Sequence, residues 1–289
     1  MIIWAILTYI LTGSLSAPVL SLLGQSPPLV RKNYAGKLIP TSAGILLPLG
    51  ILPVFLLIMM WETVSPGGSA VTPGLITAGT VVLLGYGLLG LFDDLAGDEV
   101  HRGWRAHFAA LRRGQITSGG LKALWGLVIA ILAALFAGGT GGEEAALSPA
   151  RLWNWTWLLA AALIALGANT INLFDLRPGR ALKVFFLLYF LVFLAAGHAG
   201  GPLLCVAAAA LALLPADLKA RAMLGDAGAN PLGGIIGLYA AMNLSPVRQV
   251  AFLLAMLALN AAAERLSFSR WIDLSPSLRW LDRLGRDAD

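Results

Sequence analysis

The sequence predicts an all-α integral membrane protein, a polytopic helical bundle with about nine transmembrane helices. Of its 289 residues, 58% are hydrophobic and only 12% are charged. The charged fraction is about half that of a soluble domain, so the apolar surplus indicates burial in lipid. Several apolar stretches also reach the roughly 20 residues that a helix needs to cross the hydrocarbon core. Finally, the basic residues fall almost entirely on one side of the resulting topology.

Each predicted span is separated from the next by Gly, Pro or charged residues. The first span begins at Met1 without the basic segment that precedes the apolar core of a signal peptide, so we interpret it as a membrane helix. The seventh and eighth spans are short, which predicts a tilt or a position beside a cavity. The predicted spans are 1–23, 43–61, 72–92, 119–138, 153–173, 182–198, 201–215, 230–243 and 247–264.

Basic residues mark cytoplasmic loops, and here they predict an N-terminus outside the cell and a C-terminus in the cytoplasm. With that orientation, only Arg151 and Arg248 of the 20 basic residues lie outside. The loops therefore explain the net charge of +5, and no nucleic acid partner is expected. The single cysteine, Cys205, lies in an apolar span, which excludes a disulfide framework and a cysteine metal cluster.

The chain is predicted to consist of a transmembrane domain at residues 1–264 and a cytoplasmic amphipathic tail at residues 265–289. In the tail, a helix is expected to start at Pro276 and to stop at Gly285, with a stripe of leucines between them. A second amphipathic segment, rich in arginine, is predicted at residues 102–113. Both segments are expected to lie on the surface of a membrane, with anionic lipid as the partner.

Carboxylates at the cytoplasmic ends of the spans are more informative about function than the basic residues, because no topological rule places carboxylates there. Asp93 and Asp94 end the third span. Adjacent carboxylates repel each other, so the pair indicates a cation nearby. Carboxylate oxygens, completed by substrate phosphates and water, are ligands that Mg²⁺ prefers. The alternative is a solvated acidic helix end.

Polar residues also end the fifth span. Asn169, Asn172 and Asp175 recur at a spacing of three, which predicts that they share one side of a helix. Amides in an apolar span need partners, and a polar ligand would supply them. The alternative is a contact between amides of two helices. Three basic residues that follow are predicted to hold an anionic substrate: Arg177, Arg180 and Lys183.

A glycine-rich element precedes the eighth span. Asn230-Pro231 is predicted as the N-cap and the first residue of that helix. Glycines before it, including Gly228, allow a close approach of the backbone. A helix N-terminus beside Asp226 is suited to phosphate and metal binding. The alternative is a tight turn in which the glycines serve geometry alone.

These clusters resemble, in order and spacing, the motifs of the polyprenyl-phosphate N-acetylhexosamine-1-phosphate transferases. That family includes the phospho-MurNAc-pentapeptide translocase and GlcNAc-1-phosphate transferases. The matching elements are the loop Lys-Leu-Ile-Pro-Thr-Ser-Ala-Gly at residues 37–44, the aspartate pair Asp93-Asp94, the Asn-x-x-Asn-x-x-Asp-Gly motif at Asn169, Asn172 and Asp175, and the Met-Gly-Asp-x-Gly-Ser element at Gly225-Asp226-Ala227-Gly228.

The resemblance implies that the chain transfers a sugar-1-phosphate from a UDP-sugar to polyprenyl phosphate, releasing UMP, in cell-envelope glycan synthesis. It implies Mg²⁺ as the cofactor, with Asp226, Asp93 and Asp94 as metal ligands and catalytic residues. Asp93 or Asp94 would contact the metal or deprotonate the lipid phosphate. Together with the clusters, it gives these predicted substrate-binding residues: Lys37, Asn169, Asn172, Asp175, Arg177, Arg180, Lys183, Gly228 and Asn230.

The sequence departs from the family in several places, which keeps other functions open. Gly97 replaces a lysine after the aspartate pair, Leu176 and Pro178 replace Gly and Asp, and Ala229 replaces a serine. Residues 265–289 contain no histidine, and a tenth span is missing. The alternatives are a catalytically silent scaffold for envelope assembly, and a transporter or lipid flippase with ion-coupling carboxylates. A homodimer is a further predicted partnership.

Overall fold

The computed structural model describes residues 1–64, 73–96, 112–114, 117–138, 155–198 and 200–286. Most of the predicted amphipathic segment at 102–113, as well as Gly97, lies outside these ranges. A two-stranded antiparallel hairpin, β1 (Val30–Lys32) and β2 (Leu38–Pro40), follows the first helix. The helices are α1 (Ile2–Gly24), α2 (Leu46–Val64), α3 (Pro73–Ala96), α4 (Ser118–Ala137), α5 (Thr156–Asn172), α6 (Arg180–Ala196), α7 (Leu204–Leu218), α8 (Asp226–Asn243), α9 (Pro246–Ala263), α10 (Phe268–Leu274) and α11 (Pro276–Arg283).

The helices confirm the all-α bundle and support a membrane-embedded protein. Each predicted span overlaps one of the helices α1–α9. Nine crossings nevertheless stay a prediction, because not all of these helices have the length and composition of a span. In the part of the chain that the structure describes, six segments are long and apolar enough to cross a membrane: Ile2–Gly24, Ala43–Val64, Pro73–Ala96, Gly119–Ala137, Gly201–Leu218 and Pro246–Ala263.

Helix α8 lies at the centre of the bundle, where it packs against α3, α5 and α6. Its residues from Ala227 to Ala240 are all buried, so protein rather than lipid surrounds this short helix. Glycines bring α5 and α8 close together. A Cβ on Gly167 would meet the carbonyl oxygen of Gly233 at 2.3 Å, and one on Gly237 would meet that of Leu163 at 2.2 Å. Small residues at such a crossing allow two backbones to pack directly.

The predicted start of α8 at Asn230-Pro231 is wrong. The helix begins at Asp226 with Gly225 as its N-cap, and Pro231 lies inside the helix. Gly225 has φ +70°, a conformation that glycine adopts without strain. The chain can therefore turn into the helix before it reaches the Asn-Pro pair, and a carboxylate from α3 takes over the capping role, as described below.

The predicted clusters lie together at one end of the bundle, which we call the site end. Side-chain contacts there join the end of α3 to the starts of α4 and α8, and the end of α5 to the start of α8. The start of α6 and the end of α7 meet there too, because Asp217 accepts a hydrogen bond from the Gly179 backbone. The hairpin covers this end, since Arg31 donates to the Asp94 carbonyl oxygen at 2.6 Å.

Candidate functional site

A cleft of about 280 Å³ opens at the site end. The hairpin, the last turn of α3, the turn at residues 173–179 and the start of α8 form its walls. The cleft combines carboxylates with basic groups, which is the composition needed to bind a metal ion together with an anion. The charged and aromatic residues that line it are Arg31, Lys32, Tyr34, Asp94, Asp175, Arg177, Asp217 and Asp226.

Two carboxylates from different helices converge on one ammonium group beside the cleft. Nζ of Lys122, on α4, contacts the carboxylate of Asp226 and lies 3.3 Å from Oδ2 of Asp93. The side chains remain accessible, with 21% of Lys122, 25% of Asp93 and 21% of Asp226 exposed. Because one ammonium faces two carboxylates, the group keeps a net negative charge.

The amide of Asn172, at the end of α5, completes this group. In the orientation that satisfies both of its polar atoms, Nδ2 donates to Oδ1 of Asp226 at 2.9 Å and Oδ1 accepts from Nζ of Lys122 at 3.3 Å. Side chains from α3, α4, α5 and α8 thus meet at one point. We call Asp93, Lys122, Asn172 and Asp226 the Asp226 cluster.

Asp94 points away from this cluster and caps helix α8. Its Oδ1 accepts from the backbone N–H of Asp226 at 3.1 Å, and its Oδ2 accepts from that of Ala227 at 3.2 Å. Oδ2 also accepts from Oγ of Ser42 at 2.7 Å. Ser42 has φ +60°, a rare conformation for a residue with a side chain, and this hydrogen bond helps to hold it. Both oxygens of Asp94 are therefore engaged within the protein, where they hold the start of α8 against the end of α3, while Asp94 also lines the cleft.

Asp175 lies in the turn after α5 rather than on the helix, which ends at Asn172. Its carboxylate accepts a hydrogen bond from the backbone of Gly225. Burial, and then the negative charges of Asp217 and Asp94, raise the pKa of Asp175 to about 8. The protonated form of Asp175 is therefore favoured more than that of an ordinary carboxyl, and in this form it can donate a hydrogen bond to a ligand in the cleft.

Asn169 does not join the cleft, so the predicted common face of Asn169, Asn172 and Asp175 is not formed. The amide of Asn169 donates to Oδ1 of Asn260 on α9. Asn260 in turn donates to Oγ1 of Thr170 at 2.8 Å. For Asn169 the alternative interpretation, an amide contact between two helices, is therefore the one that the structure supports. The helix ends before Asp175, and this leaves only Asn172 facing Asp226.

Arg180 and Lys183 bind the tail instead of facing the cleft, contrary to their predicted role. Nε and Nη2 of Arg180 pair with the two carboxylate oxygens of Asp282 at 2.7 and 2.9 Å. Nζ of Lys183 donates to the carbonyl oxygens of Leu281 and Asp282. Burial disfavours the charged form of Asp282, but the hydrogen bonds and charges of Arg180 and Arg286 outweigh it and hold its pKa below the usual range.

The other predicted substrate-binding residues have mixed positions. Arg177 lines the cleft, and its guanidinium lies 4.7 Å from the centre of the Tyr34 ring. Lys37 lies exposed at the tip of the hairpin and does not line the cleft. Gly228 packs against Gly44. A Cβ on Gly44 would lie 2.0 Å from the Cα of Gly228, so the two glycines allow the backbones to pack closely. Asn230 is buried inside α8, and its Nδ2 has no hydrogen-bond partner among the residues that the structure describes.

Lys122 is the residue of the Asp226 cluster that the sequence pattern does not single out as a site residue. The charge pattern marks it only as a cytoplasmic basic residue, although it lies inside the predicted span 119–138. A charge within a span is costly and indicates function or a buried partner, so the signal was present. Arg31 and Lys32 lacked such a signal, because only the pairing of β1 with β2 brings them over the cleft.

The donor set fits Mg²⁺, although it is small. Asp93 and Asp226 offer carboxylate oxygens that already converge on a cation, and Asn172 offers an amide oxygen. Among the described residues, no group of three or more His, Cys, Asp or Glu side chains lies close enough to hold a metal ion. Magnesium sites with one or two protein carboxylates are common where substrate phosphates and water complete the shell.

Comparison of the chain with protein-family models and with curated proteins returns no match. The resemblance to the transferase family therefore depends on the motifs themselves and on where their residues lie in this structure.

Proposed function

We propose that the chain is a Mg²⁺-dependent transferase that moves a sugar-1-phosphate from a UDP-sugar to polyprenyl phosphate, with release of UMP. The reaction would take place at the cytoplasmic face of the cell membrane. The observation that carries this proposal is the convergence of Asp93 and Asp226 on one cation position at the edge of a cleft that also contains Arg31, Lys32 and Arg177. A sugar nucleotide diphosphate needs both a metal site and basic groups.

Each polar group of the cleft has a role in this reaction. Arg31, Lys32 and Arg177 would bind the phosphates of the nucleotide, while protonated Asp175 would donate a hydrogen bond to it. When bound, Mg²⁺ would neutralise charge on the pyrophosphate and on the departing UMP. An oxygen of the lipid phosphate would attack the sugar-bearing phosphorus, and the bond from that phosphorus to the UMP oxygen would break. Asp93, rather than Asp94, would orient the lipid phosphate or take its proton.

An apolar groove supports a lipid as the acceptor. The groove, of about 570 Å³, lies between α2 and α3 and is lined almost wholly by apolar side chains. It extends from Leu56 on α2 to Leu91, two residues before Asp93 on α3. Because a helix rises about 1.5 Å per residue, the groove ends within one turn of the Asp226 cluster. An isoprenoid chain in this groove would therefore place its phosphate near the carboxylates.

A catalytically silent scaffold is the second candidate function, and one observation favours it. Lys122 already neutralises part of the charge of Asp93 and Asp226, so the cluster is held together without a metal ion. A transporter fits less well, because coupling sites lie near the middle of the bilayer. Here Asp93 is in the last turn of α3 and Asp226 is the first residue of α8.

The proposed activity can be tested with purified protein in lipid, a panel of radiolabelled UDP-sugars, undecaprenyl phosphate and Mg²⁺. We expect label to pass from one UDP-sugar into the lipid, with release of UMP and complete dependence on the divalent ion. No transfer from any UDP-sugar, together with no binding of divalent cations, would contradict the proposal and favour the scaffold.

The orientation has its own test. Val64 ends α2 at the end of the bundle opposite to the site, whereas Ser277 lies in the tail, and both are exposed. We expect an impermeant maleimide added to intact cells to label Val64→Cys but not Ser277→Cys. The buried native Cys205 serves as an internal background. Labelling of Ser277→Cys alone would show that the site faces the exterior.

A further inference from the structure

We propose that the tail, here residues 265–286, docks onto an anionic phospholipid surface and thereby braces the turn of the cleft at residues 173–179. This inference concerns binding and does not depend on the transferase activity. Arg180, Lys183, Phe174 and the Pro178 carbonyl hold the tail, while other residues of the tail face outward.

The tail is held close to the end of α9. Only four residues separate Ala263, the end of α9, from Phe268, the start of α10. Four residues span at most about 14 Å, so α10 stays near the end of the membrane-spanning helix. The ring of Phe268 stacks on that of Phe174, with 5.1 Å between their centres. The Arg180–Asp282 pair then fixes α11 to the first residue of α6. The tail therefore lies at the level of the lipid headgroups.

The outer surface of the tail is rich in apolar side chains. Phe268 and Asp282 are buried because they face the bundle. The outward residues include several large apolar side chains, which would be unfavourable in water alone. Tryptophan and leucine at a helix surface beside charged residues are typical of helices that lie in a membrane interface. The most exposed examples are Trp271, Leu274, Trp280, Leu281 and Leu284.

The exposed charges favour an anionic surface as the partner of the tail. Within the described residues 264–286, four arginines are exposed, at positions 265, 270, 279 and 283, against two exposed carboxylates, Glu264 and Asp273. On α11, Arg279 and Arg283 are four residues apart and share one face, while Leu278 and Leu281 are three apart and share another. Such a helix can insert its leucines between lipids while its arginines contact phosphate groups.

Hydrogen bonds connect the tail to the turn that lines the cleft. Nε of Arg286 donates to the carbonyl oxygen of Pro178 at 2.7 Å, and Nζ of Lys183 holds the backbone of α11. Pro178 follows Arg177, which lines the cleft. A lipid surface that immobilises the tail would therefore also immobilise the turn that carries Asp175 and Arg177.

Docking can be measured with the fluorophore bimane at Leu281→Cys, with Ala35→Cys, at an exposed and uncharged position of the hairpin tip, as the control that leaves every arginine of the tail in place. The protein would be placed in nanodiscs of phosphatidylcholine with increasing phosphatidylglycerol, with brominated acyl chains as quenchers. We expect quenching at position 281 that grows with the phosphatidylglycerol fraction, and no such growth at position 35. Replacing Arg283 by Gln should weaken this lipid dependence about fivefold, since a basic side chain near an anionic surface contributes about 1 kcal/mol.

Two results would overturn the docking. Bimane at position 281 that stays water-exposed in phosphatidylglycerol discs would show that no lipid contacts the leucine face. Shifted emission without quenching by brominated lipid would show that a protein surface, such as a second copy of this chain, covers the tail.

Bracing can be measured by hydrogen exchange of the turn at residues 173–179. We expect slower exchange in phosphatidylglycerol discs than in phosphatidylcholine discs for the wild type, and no such difference for Asp282→Asn, which releases α11. Arg283→Gln leaves the Asp282 contacts in place, so it should show an intermediate difference even if Asp282→Asn folds poorly. Equal exchange of the wild-type turn in both lipids would overturn the bracing.

Discussion

Two clusters of carboxylates and basic groups lie at the same end of this bundle, and they differ in burial and in charge balance. In the Asp226 cluster, two carboxylates face one lysine, and the side chains are about a fifth to a quarter exposed. In the tail, Asp282 faces both Arg180 and Arg286, and its side chain is 7% exposed. We call these three residues the Asp282 clamp. The clamp is closed to solvent and needs no further cation, whereas the Asp226 cluster is open and has an excess of negative charge.

This difference separates a structural role from a ligand-binding role. Burying an ion pair costs desolvation, which the bidentate geometry of the clamp offsets, so loss of one partner should mainly reduce stability. An under-compensated and accessible cluster contributes less to folding but can bind an incoming cation or phosphate. Mutations in the two clusters should therefore have opposite effects on activity and on stability.

The largest effect is expected for Asp226→Asn. It removes the charge that would hold a divalent cation but keeps the size of the side chain. We expect UMP release to fall on the order of a thousandfold, with a melting temperature close to that of the wild type. Asp273→Asn, the same substitution at an exposed position of α10, should leave turnover unchanged. Comparable turnover in Asp226→Asn would show that this carboxylate is not required.

Asp282→Asn should have the opposite effect. It leaves Arg180 buried beside a neutral partner, so we expect a loss of about 3 kcal/mol of unfolding free energy, measured by thermal unfolding in detergent. Activity per folded molecule should change far less than in Asp226→Asn. A melting temperature equal to that of the wild type would show that the clamp does not stabilise the fold.

A smaller effect is expected for the pH dependence of stability. The pKa of Asp175 is about 8 in the folded chain against an ordinary value of 3.8, so the folded state retains a proton that the unfolded state releases. Stability from this group is therefore greatest at low pH and is lost as the pH rises from about 4 to about 8. Asp175→Asn, which mimics the protonated form, should flatten this decline in melting temperature. Identical pH profiles for the two proteins would contradict the raised pKa.

The smallest effect is expected for Asn169→Ala. Its contact with Asn260 lies between α5 and α9, and hydrogen bonds between membrane helices contribute about 0.6 kcal/mol on average. Stability should therefore fall slightly and turnover should persist. Asn172→Ala, only three residues away, should reduce turnover clearly, because Asn172 contacts Asp226. Equal loss of turnover in both variants would support the original prediction that Asn169 and Asn172 face the same site.

Much of the fold could be predicted from the sequence, because apolar length and helix-breaking residues determine where membrane helices lie. Each predicted span overlaps a helix, six described segments have the length and composition of a span, and α11 begins at Pro276 as expected. The start of α8 was misplaced because the cap comes from Asp94, far away in the chain. The Asn-Pro pattern is a local signal for a helix start. Here the carboxylate of Asp94, which is distant in the sequence, caps the helix at Asp226, before that pair.

The site could be predicted only in outline. The clusters at the ends of the predicted spans lie together at one end of the bundle, because alternate helices of an up-and-down bundle end on the same side. The direction in which each side chain points could not be predicted, because it depends on the rotation of its helix and on partners from other helices. Asn169 faces α9, Arg180 faces the tail, and Lys122 reaches Asp226 from α4. None of these partners lies nearby in the sequence.

The central claim is that the Asp226 cluster, and not the Asp282 clamp, binds a divalent cation. Electron paramagnetic resonance of Mn²⁺, with UDP present, measures this binding without any requirement for turnover. We expect the wild type to bind Mn²⁺ in competition with Mg²⁺, Asp226→Asn to bind it at least about tenfold more weakly, and folded Asp282→Asn to match the wild type. Equal binding by Asp226→Asn and the wild type, or no binding by either, would contradict the claim.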